Sequence, residues 1–440
     1  MRVMIATKTC HKKLVEDESG GMTILGLFIF TWMLMLGGLA LDFARGQNMV
    51  TLMQNTADSA AFAAMTTRYD NPEGVAKAEG VRIAALNMPS DRFGTVMTEL
   101  DIEFGTWNEV SREFTPLAGS MDAVRVQVSR TDANRNALRT TLMRFVGINS
   151  FNLVQSATVA SHNPACLREG FVADQIVDMQ SGNTFTNGFC IHSNRDLKMS
   201  SGNTFEPGVG VSMPAPSNIQ LPNSGFTSNP GLQDALAANR YNLKIADRLD
   251  AIITGLQTPG SRYIPAYITS DVVINLATKS ISQDDLIPGR IHEVNCNGNQ
   301  QLDIAKDAII TDVVIITNCR TSFSQGARLE NAVFATTHAG ARSINGPAGV
   351  QIGRDDNCGV GGGAQLITLG SMDFANGLKV FGGQLLARNN ILFTADGGGV
   401  EGASFIAGGR IEGTSNMNMK GCRGQGMEDS FQEMYSRLVQ

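Results

Sequence analysis

The sequence predicts a membrane-anchored α+β protein. A transmembrane helix with an extended stalk leads into a small α/β unit, and a β-rich domain follows, first choice a parallel β-helix (β-solenoid). Three observations carry this reading. Met22 to Leu41 reads MTILGLFIFTWMLMLGGLAL without one charge. Helical spacing then gives way to period-two alternation. Beyond Cys166, the string Ser-Gly-Asn-Thr-Phe recurs after twenty residues, and glycine thickens from Gly346 to Gly413.

Composition bounds the rest. A chain of 440 residues holds two or three domains with a sizeable core. Its 35 basic against 41 acidic residues give a net charge of −6. That balance excludes a partner bound through a phosphate backbone, so no nucleic acid is expected. A 42% hydrophobic content excludes a wholly disordered chain.

The apolar run comes first. At 1.5 Å per residue it covers about 30 Å, the hydrocarbon thickness of a bilayer. A cleaved signal peptide would carry a shorter core and a small-residue cleavage site. Leu39-Ala40-Leu41-Asp42 is a poor one, so an uncleaved anchor is expected over 22–41. Arg2, Lys8, Lys12 and Lys13 precede the run, and only Arg45 follows it before Arg68. By the positive-inside rule, residues 1–21 form a cytoplasmic tail and the rest lies across a single span. Cys10 then stays inside. Cys166, Cys190, Cys296, Cys319, Cys358 and Cys422 are exported, an even set that suggests three disulfides. Fifteen pairings exist; sequence neighbours (166–190, 296–319, 358–422) are preferred, and buried free thiols are the alternative.

From Asp42 to Met65, apolar residues continue at helical spacing and extend the anchor as a stalk. Asp42 and Arg45 share one face at the membrane boundary, where an interfacial ion pair is expected. Ala57, Ala60, Ala61 and Ala64 form a small-residue stripe that permits close helix approach. It would receive partner helices or pack on the chain's own α/β unit. Asn71-Pro72 breaks the helix, and a second runs to about Asn87. Leu100 to Phe104 alternates, Phe104 to Trp107 turns, and Ala123 to Val128 alternates again. Leu138 to Val146 reads as a short helix, and Phe151 to Ala160 as a strand. The unit closes at 42–163.

These residues resemble a family. Asp17-Glu18-Ser19-Gly20-Gly21, the apolar run and LALDFARGQNMVTLMQNTADSAAFAA are similar to the N-terminal signature of TadG-like (TadE/TadG-like) proteins of Tad/Flp pilus assembly. FGTWNEVSREFTP, DAVRVQVSR and LMRFVGINSFNLVQSATVA resemble the module that follows it, so the likeness covers about residues 15–163. It implies a bacterial inner-membrane protein with a pilin-like α/β unit and a periplasmic body, serving assembly or anchoring of an adhesive pilus. Its implied partners are the lipid bilayer and other Tad/Flp pilus-machinery proteins, with self-association open. Two departures stand out. Some relatives carry a von Willebrand factor A domain with a D-x-S-x-S metal site, which the exported part lacks. Prepilin cleavage before Glu18 would fall after Lys13, where a small residue is needed, so the chain looks like a retained anchor.

Residues 164–426 are expected as the solenoid-like domain. Ser181-Gly182-Asn183-Thr184-Phe185 and Ser201-Gly202-Asn203-Thr204-Phe205 have the spacing of one coil, and asparagines in successive coils can form hydrogen-bonded ladders. Short apolar strands separated by glycine or asparagine follow. A β-sandwich and a Gly-rich decorated α/β fold are the alternatives. Residues 230–256 read as a helical excursion, and 427–440 as an amphipathic capping helix with Met427, Phe431, Met434, Tyr435 and Leu438 on one face.

The chain shows no recognised catalytic or ligand-binding motif. It contains no G-x-x-x-x-G-K-[ST], H-E-x-x-H, G-x-S-x-G or C-x-x-C, and its five histidines lack metal-ligand spacing. Gly359 to Ala364 resembles a dinucleotide loop but reads better as a turn. Asn295 to Asp303 departs from a calcium loop, and Asp284-Asp285 and Asp355-Asp356 read as surface charge. No catalytic, cofactor-binding or metal-binding residue is therefore expected. A non-enzymatic pilus-assembly protein is favoured over a tethered β-helix carbohydrate-active enzyme or glycan-binding adhesin, which would need converging carboxylates in a cleft.

Overall fold

A computed structural model describes residues 21–440 apart from Asn163, Asn299 and Thr414. The basic tail, Cys10 and the acidic string before the apolar run lie outside the described residues. Two compact units form. The first takes the described residues up to His162 together with Met434–Gln440, and the second reaches from there to Glu433.

The first unit begins with helix α1 (Gly21–Asp70), 50 residues without interruption. At 1.5 Å per residue it is about 75 Å long. Among the described residues it is the one helix long and apolar enough to cross a membrane. Its first half exposes Met22, Phe28, Trp32 and Leu36, whereas from Met53 onward one face is buried. Asn71-Pro72 ends it, and α2 (Glu73–Asn87) follows. A five-stranded antiparallel sheet receives both helices. Its strands are β1 (Ile102–Asn108), β2 (Glu113–Pro116), β3 (Ala123–Arg130), β6 (Leu153–His162) and a tail strand, Tyr435–Leu438, in the order β2-β1-β3-β6-tail. Strands β4 (Leu138–Arg139) and β5 (Ser150–Phe151) make a separate hairpin.

Three local expectations are corrected. Phe104 to Trp107 is no turn but the middle of β1. A Cβ at Gly105 would stand 2.2 Å from the Thr115 carbonyl oxygen, so glycine there serves close strand approach. Leu138 to Val146 is no α-helix: it is β4 and a 3-10 turn over Met143–Val146, ended by Gly147 at φ 91°. The expected capping helix over 427–440 is absent, and Tyr435–Leu438 instead pairs antiparallel with β6. The tail's apolar spacing is helical, but the free edge of β6 supplies backbone partners that override it.

The second unit is one sheet of 24 strands whose pairings are all parallel. The twenty-residue repeat is its register: Leu197 pairs with Val177, Met199 with Met179, and Phe205 with Phe185. The other edge of those first strands is taken by C-terminal ones, with Phe405 on Phe171, Ile411 on Val177 and Met419 on Phe185. The first repeat is therefore interior to the stack. Between Leu236–Ala238 and Ser270–Leu276 the chain runs outside the sheet through helices Lys244–Asp247 and Leu249–Leu256. The helical excursion expected over 230–256 is thus only partly helical; its apolar residues Leu243, Leu249, Ile252 and Leu256 are buried.

Inside, rings stack along the sheet. Phe185 and Phe205 lie parallel at 4.9 Å, and Phe171 meets Phe405 at 4.9 Å. The repeated asparagines form the ladder their spacing suggested. Asn203 Oδ1 accepts from the Asn183 amide at 3.0 Å, Asn229 Oδ1 from the Asn203 amide at 3.1 Å, and Asn183 Oδ1 from the Met417 amide at 3.0 Å. All three asparagines are fully buried, and their side chains satisfy backbone donors at the turns.

Candidate functional site

The described residues hold three features that could serve function: the end of the apolar run, the small-residue stripe, and a polar cleft in the second unit. At the first, Asp42 is 1% exposed. Its carboxylate accepts hydrogen bonds from the backbone N–H groups of Thr141, Leu142 and Met143 at 2.8, 2.7 and 2.8 Å. Arg45 stands 3.5 Å from the same carboxylate, as the expected ion pair, and donates to the Thr141 hydroxyl. Desolvation pushes the Asp42 carboxyl up, but the three amide donors outweigh it and hold its pKa down at about 2. The Asp42–Arg45 pair is legible in the sequence and the loop is not, because successive amides aimed at one point leave no side-chain pattern.

The stripe is corrected. Ala57, Ala60, Ala61 and Ala64 are fully buried within the first unit and unavailable to another protein's helix. Close approach is nevertheless what they provide. Ala76, Gly80 and Ala84 are the buried residues of α2, and a Cβ at Gly80 would lie 3.3 Å from Ala64 Cβ and 3.4 Å from the Ala60 carbonyl oxygen. The partner helix is α2.

The six cysteines of the second unit pair as Cys166–Cys190, Cys296–Cys319 and Cys358–Cys422, with Cα separations of 4.8, 5.2 and 5.5 Å. Glu401 approaches the last pair, and Cys358, Glu401 and Cys422 have metal-ligand proximity. Both sulfurs are committed to the disulfide, and Lys420 Nζ lies 2.7 Å from the carboxylate, so this cluster is a crosslink with an ion pair beside it.

The polar cleft encloses about 850 Å³, lined by Asp174, Asn194, Arg240, Tyr241, Asp250 and Arg388 among others. Beneath it His192 is buried, its Nδ1 2.8 Å from Ser212 Oγ and its Nε2 2.9 Å from Asn194 Oδ1. Asn194 gives its amide hydrogens to Asp174 and to the Tyr241 carbonyl. Its Oδ1 is therefore an acceptor, which fixes the His192 proton on Nε2. Burial pushes the His192 pKa down and keeps the ring neutral. Asp250 is paired with Arg388. Such a set can bind a hydroxylated ligand, since its donors and acceptors are held in place.

The remaining sequence candidates resolve as turn chemistry. Asp285 caps Ser282, and Asp356 accepts from the Gly359 amide and pairs with Arg354. A strand, Ala364–Thr368, follows the glycines of 359–363, and a dinucleotide site would require a helix there.

The comparisons bear on both units. A family model described as a domain of unknown function (DUF7867) matches residues 170–423, more than half of the chain. The chain belongs to the DUF7867 family. The matched range holds the parallel sheet, the Cys296–Cys319 and Cys358–Cys422 disulfides and the cleft. A second model, for Tad-like Flp pilus-assembly, matches residues 49–158, so this segment of the DUF7867 protein is Tad-like. That range holds the packed half of α1, α2 and strands β1 to β5. No curated protein matches. Among solved structures, the crystal structure of an ice binding protein from an Antarctic biological consortium is 12% identical, with a TM-score of 0.22. It covers 59% of this chain, and this chain covers 90% of it. A superposition that poor supports no argument about function. One apolar helix together with a pilus-assembly family fits a membrane-anchored protein.

Proposed function

We propose that this DUF7867 protein is a non-enzymatic component of Tad/Flp pilus assembly or anchoring, held in the bacterial inner membrane by residues 22–41, with the chain beyond them in the periplasm. The observation that carries the reading is the Tad-like match over residues 49–158 on a module built directly onto a long apolar helix. A pilus-assembly role implies contact with other pilus-machinery proteins. With the stripe buried, such contacts fall on other surfaces of the chain. The parallel pairing at a near-constant offset supports reading the second unit as a β-solenoid, a rigid body that presents long flat faces for contact. Three disulfides support an oxidising, extracytoplasmic location.

Deleting the gene and counting surface pili by electron microscopy tests the role. Loss of pili, restored by the full chain, is expected, and unchanged piliation would defeat it. A second reading, in which the second unit binds a glycan as an adhesin, is favoured by the cleft at Tyr241 and Asp250. Tyr241→Ala would abolish binding on a glycan array under that reading and leave piliation intact.

A further inference from the structure

The loop between β4 and β5 turns an apolar lip outward. Leu142, Phe145, Val146 and Ile148 are 38, 73, 55 and 41% exposed. Four large apolar residues within seven positions are unusual on a solvated loop. The lip lies against the apolar half of α1. Leu142, Phe145 and Val146 form one wall of a groove whose other wall is Thr31, Met35 and Leu39. A Cβ at Gly38 would stand 2.6 Å from Leu142 Cβ, so glycine there lets the loop touch the helix backbone. Thr31 precedes Asp42 by eleven residues, about 16 Å along a helix, a distance comparable with one leaflet's hydrocarbon.

Irregular backbone survives at that depth only when its polar groups are satisfied within the protein. Seven of the ten amides in Thr140–Asn149 meet this requirement. The amides of Thr141, Leu142 and Met143 go to Asp42. Those of Thr140, Phe145, Gly147 and Ile148 go to the carbonyls of Asn149, Leu142, Arg144 and Met143. Arg144 folds over the Phe145 ring at 5.3 Å, a posture that lets its charged end reach the headgroups.

We propose that Thr140–Asn149 is a second membrane element: its lip lies among the phospholipid acyl chains of the leaflet beside α1, and Asp42 locks it to the helix. The occupant is lipid because the lip continues the exposed apolar surface of residues 22–41. This inference rests on the anchor reading above. The test is spin-label accessibility in the full chain, carrying Cys10→Ser, in vesicles of phosphatidylethanolamine and phosphatidylglycerol. Labels are placed at Phe145→Cys, at Leu34→Cys on the helix, and at Leu117→Cys on an exposed loop of the same unit. The oxygen-to-nickel-chelate accessibility ratio at 145 is expected to match that at 34 and exceed that at 117 several-fold. Val146→Cys repeats the measurement should the 145 variant misfold. A label at 145 as open to nickel as 117 would overturn the proposal while leaving the anchor intact. A label shielded from both reagents would put protein on the lip and overturn it too. Nickel access at 34 would overturn the anchor, and the proposal with it.

Discussion

Asp42 stands one residue past the apolar run, where an uncompensated carboxylate would be costly. Three amide donors and Arg45 make it a structural anion. Asparagine at this position keeps the shape but loses the charge, and its Nδ2 sets a donor against an amide N–H that the second carboxylate oxygen accepts from in the native chain. Asp42→Asn should therefore speed hydrogen exchange at the amides of Thr141, Leu142 and Met143, with little change in the sheet amides of β3. The pH dependence follows from the lowered pKa. A carboxyl depressed from 3.8 to about 2 contributes stability above its unfolded pKa and loses it as pH falls through the folded value. Protection of those three amides, corrected for intrinsic exchange, should hold from pH 7 to pH 4 and fail near pH 2. Equal exchange in wild type and variant would show that the carboxylate does not hold the loop. Asn203 is a neutral counterpart: its buried oxygen serves the Asn183 amide, and the repeat around it announced that role in the sequence.

At the scale of elements, what could be read in advance was whatever periodicity determines locally. The unbroken α1, the stop at Asn71-Pro72, α2, and the strands around Val124 and Val159 carry their own 3.6- or 2-residue signals. Segments whose partner lies far along the chain were not legible. Gly105 reads as a turn until Thr115 is laid beside it, and Tyr435–Leu438 reads as a helix until β6 offers an edge. The candidate site divides in the same way. Cysteine pairing by neighbours was recoverable because both partners of each pair sit in adjoining parts of one stack. The cleft was not, since Asp174 and Arg388 come from distant parts of the chain. The alanine stripe was legible as a helix-packing surface, but its partner was not. Replacing Ala64 by Leu should cost the first unit about 1–3 kcal/mol, because its Cβ already faces Gly80 of α2 and the added carbons have no room there. Thermal unfolding of the unit followed by circular dichroism checks this. An unchanged midpoint would mean that the two helices separate without loss.

For the molecule as a whole, orientation is the property on which most others depend. The three disulfides close loops of 23 to 64 residues, each able to stabilise the folded state by roughly 2–4 kcal/mol, and they persist only where thiols are oxidised. The proposed periplasmic body and the crosslinks therefore stand or fall together. The fold also dictates how orientation is measured. A reporter fused after Ala160 would cut β6 short of its end at His162 and delete the tail strand that covers its edge. A periplasm-active reporter belongs after Gln440 instead, with a second fusion after Lys13 as its opposite. The first should be active and the second inactive. In the same cells, non-reducing thiol labelling should find Cys166, Cys190, Cys296, Cys319, Cys358 and Cys422 blocked, with Cys10 reacting once the membrane is permeabilised. Reduction should then make the second unit protease-sensitive while the first, which has no disulfide among the described residues, keeps its resistance. An inactive C-terminal reporter with six reactive cysteines would place the body in the cytoplasm and remove the basis for the pilus role. Blocked cysteines with an inactive reporter would point to a body that folds in the periplasm but buries its C-terminus, and a reporter inserted in the exposed loop at Val110 separates that case from the first.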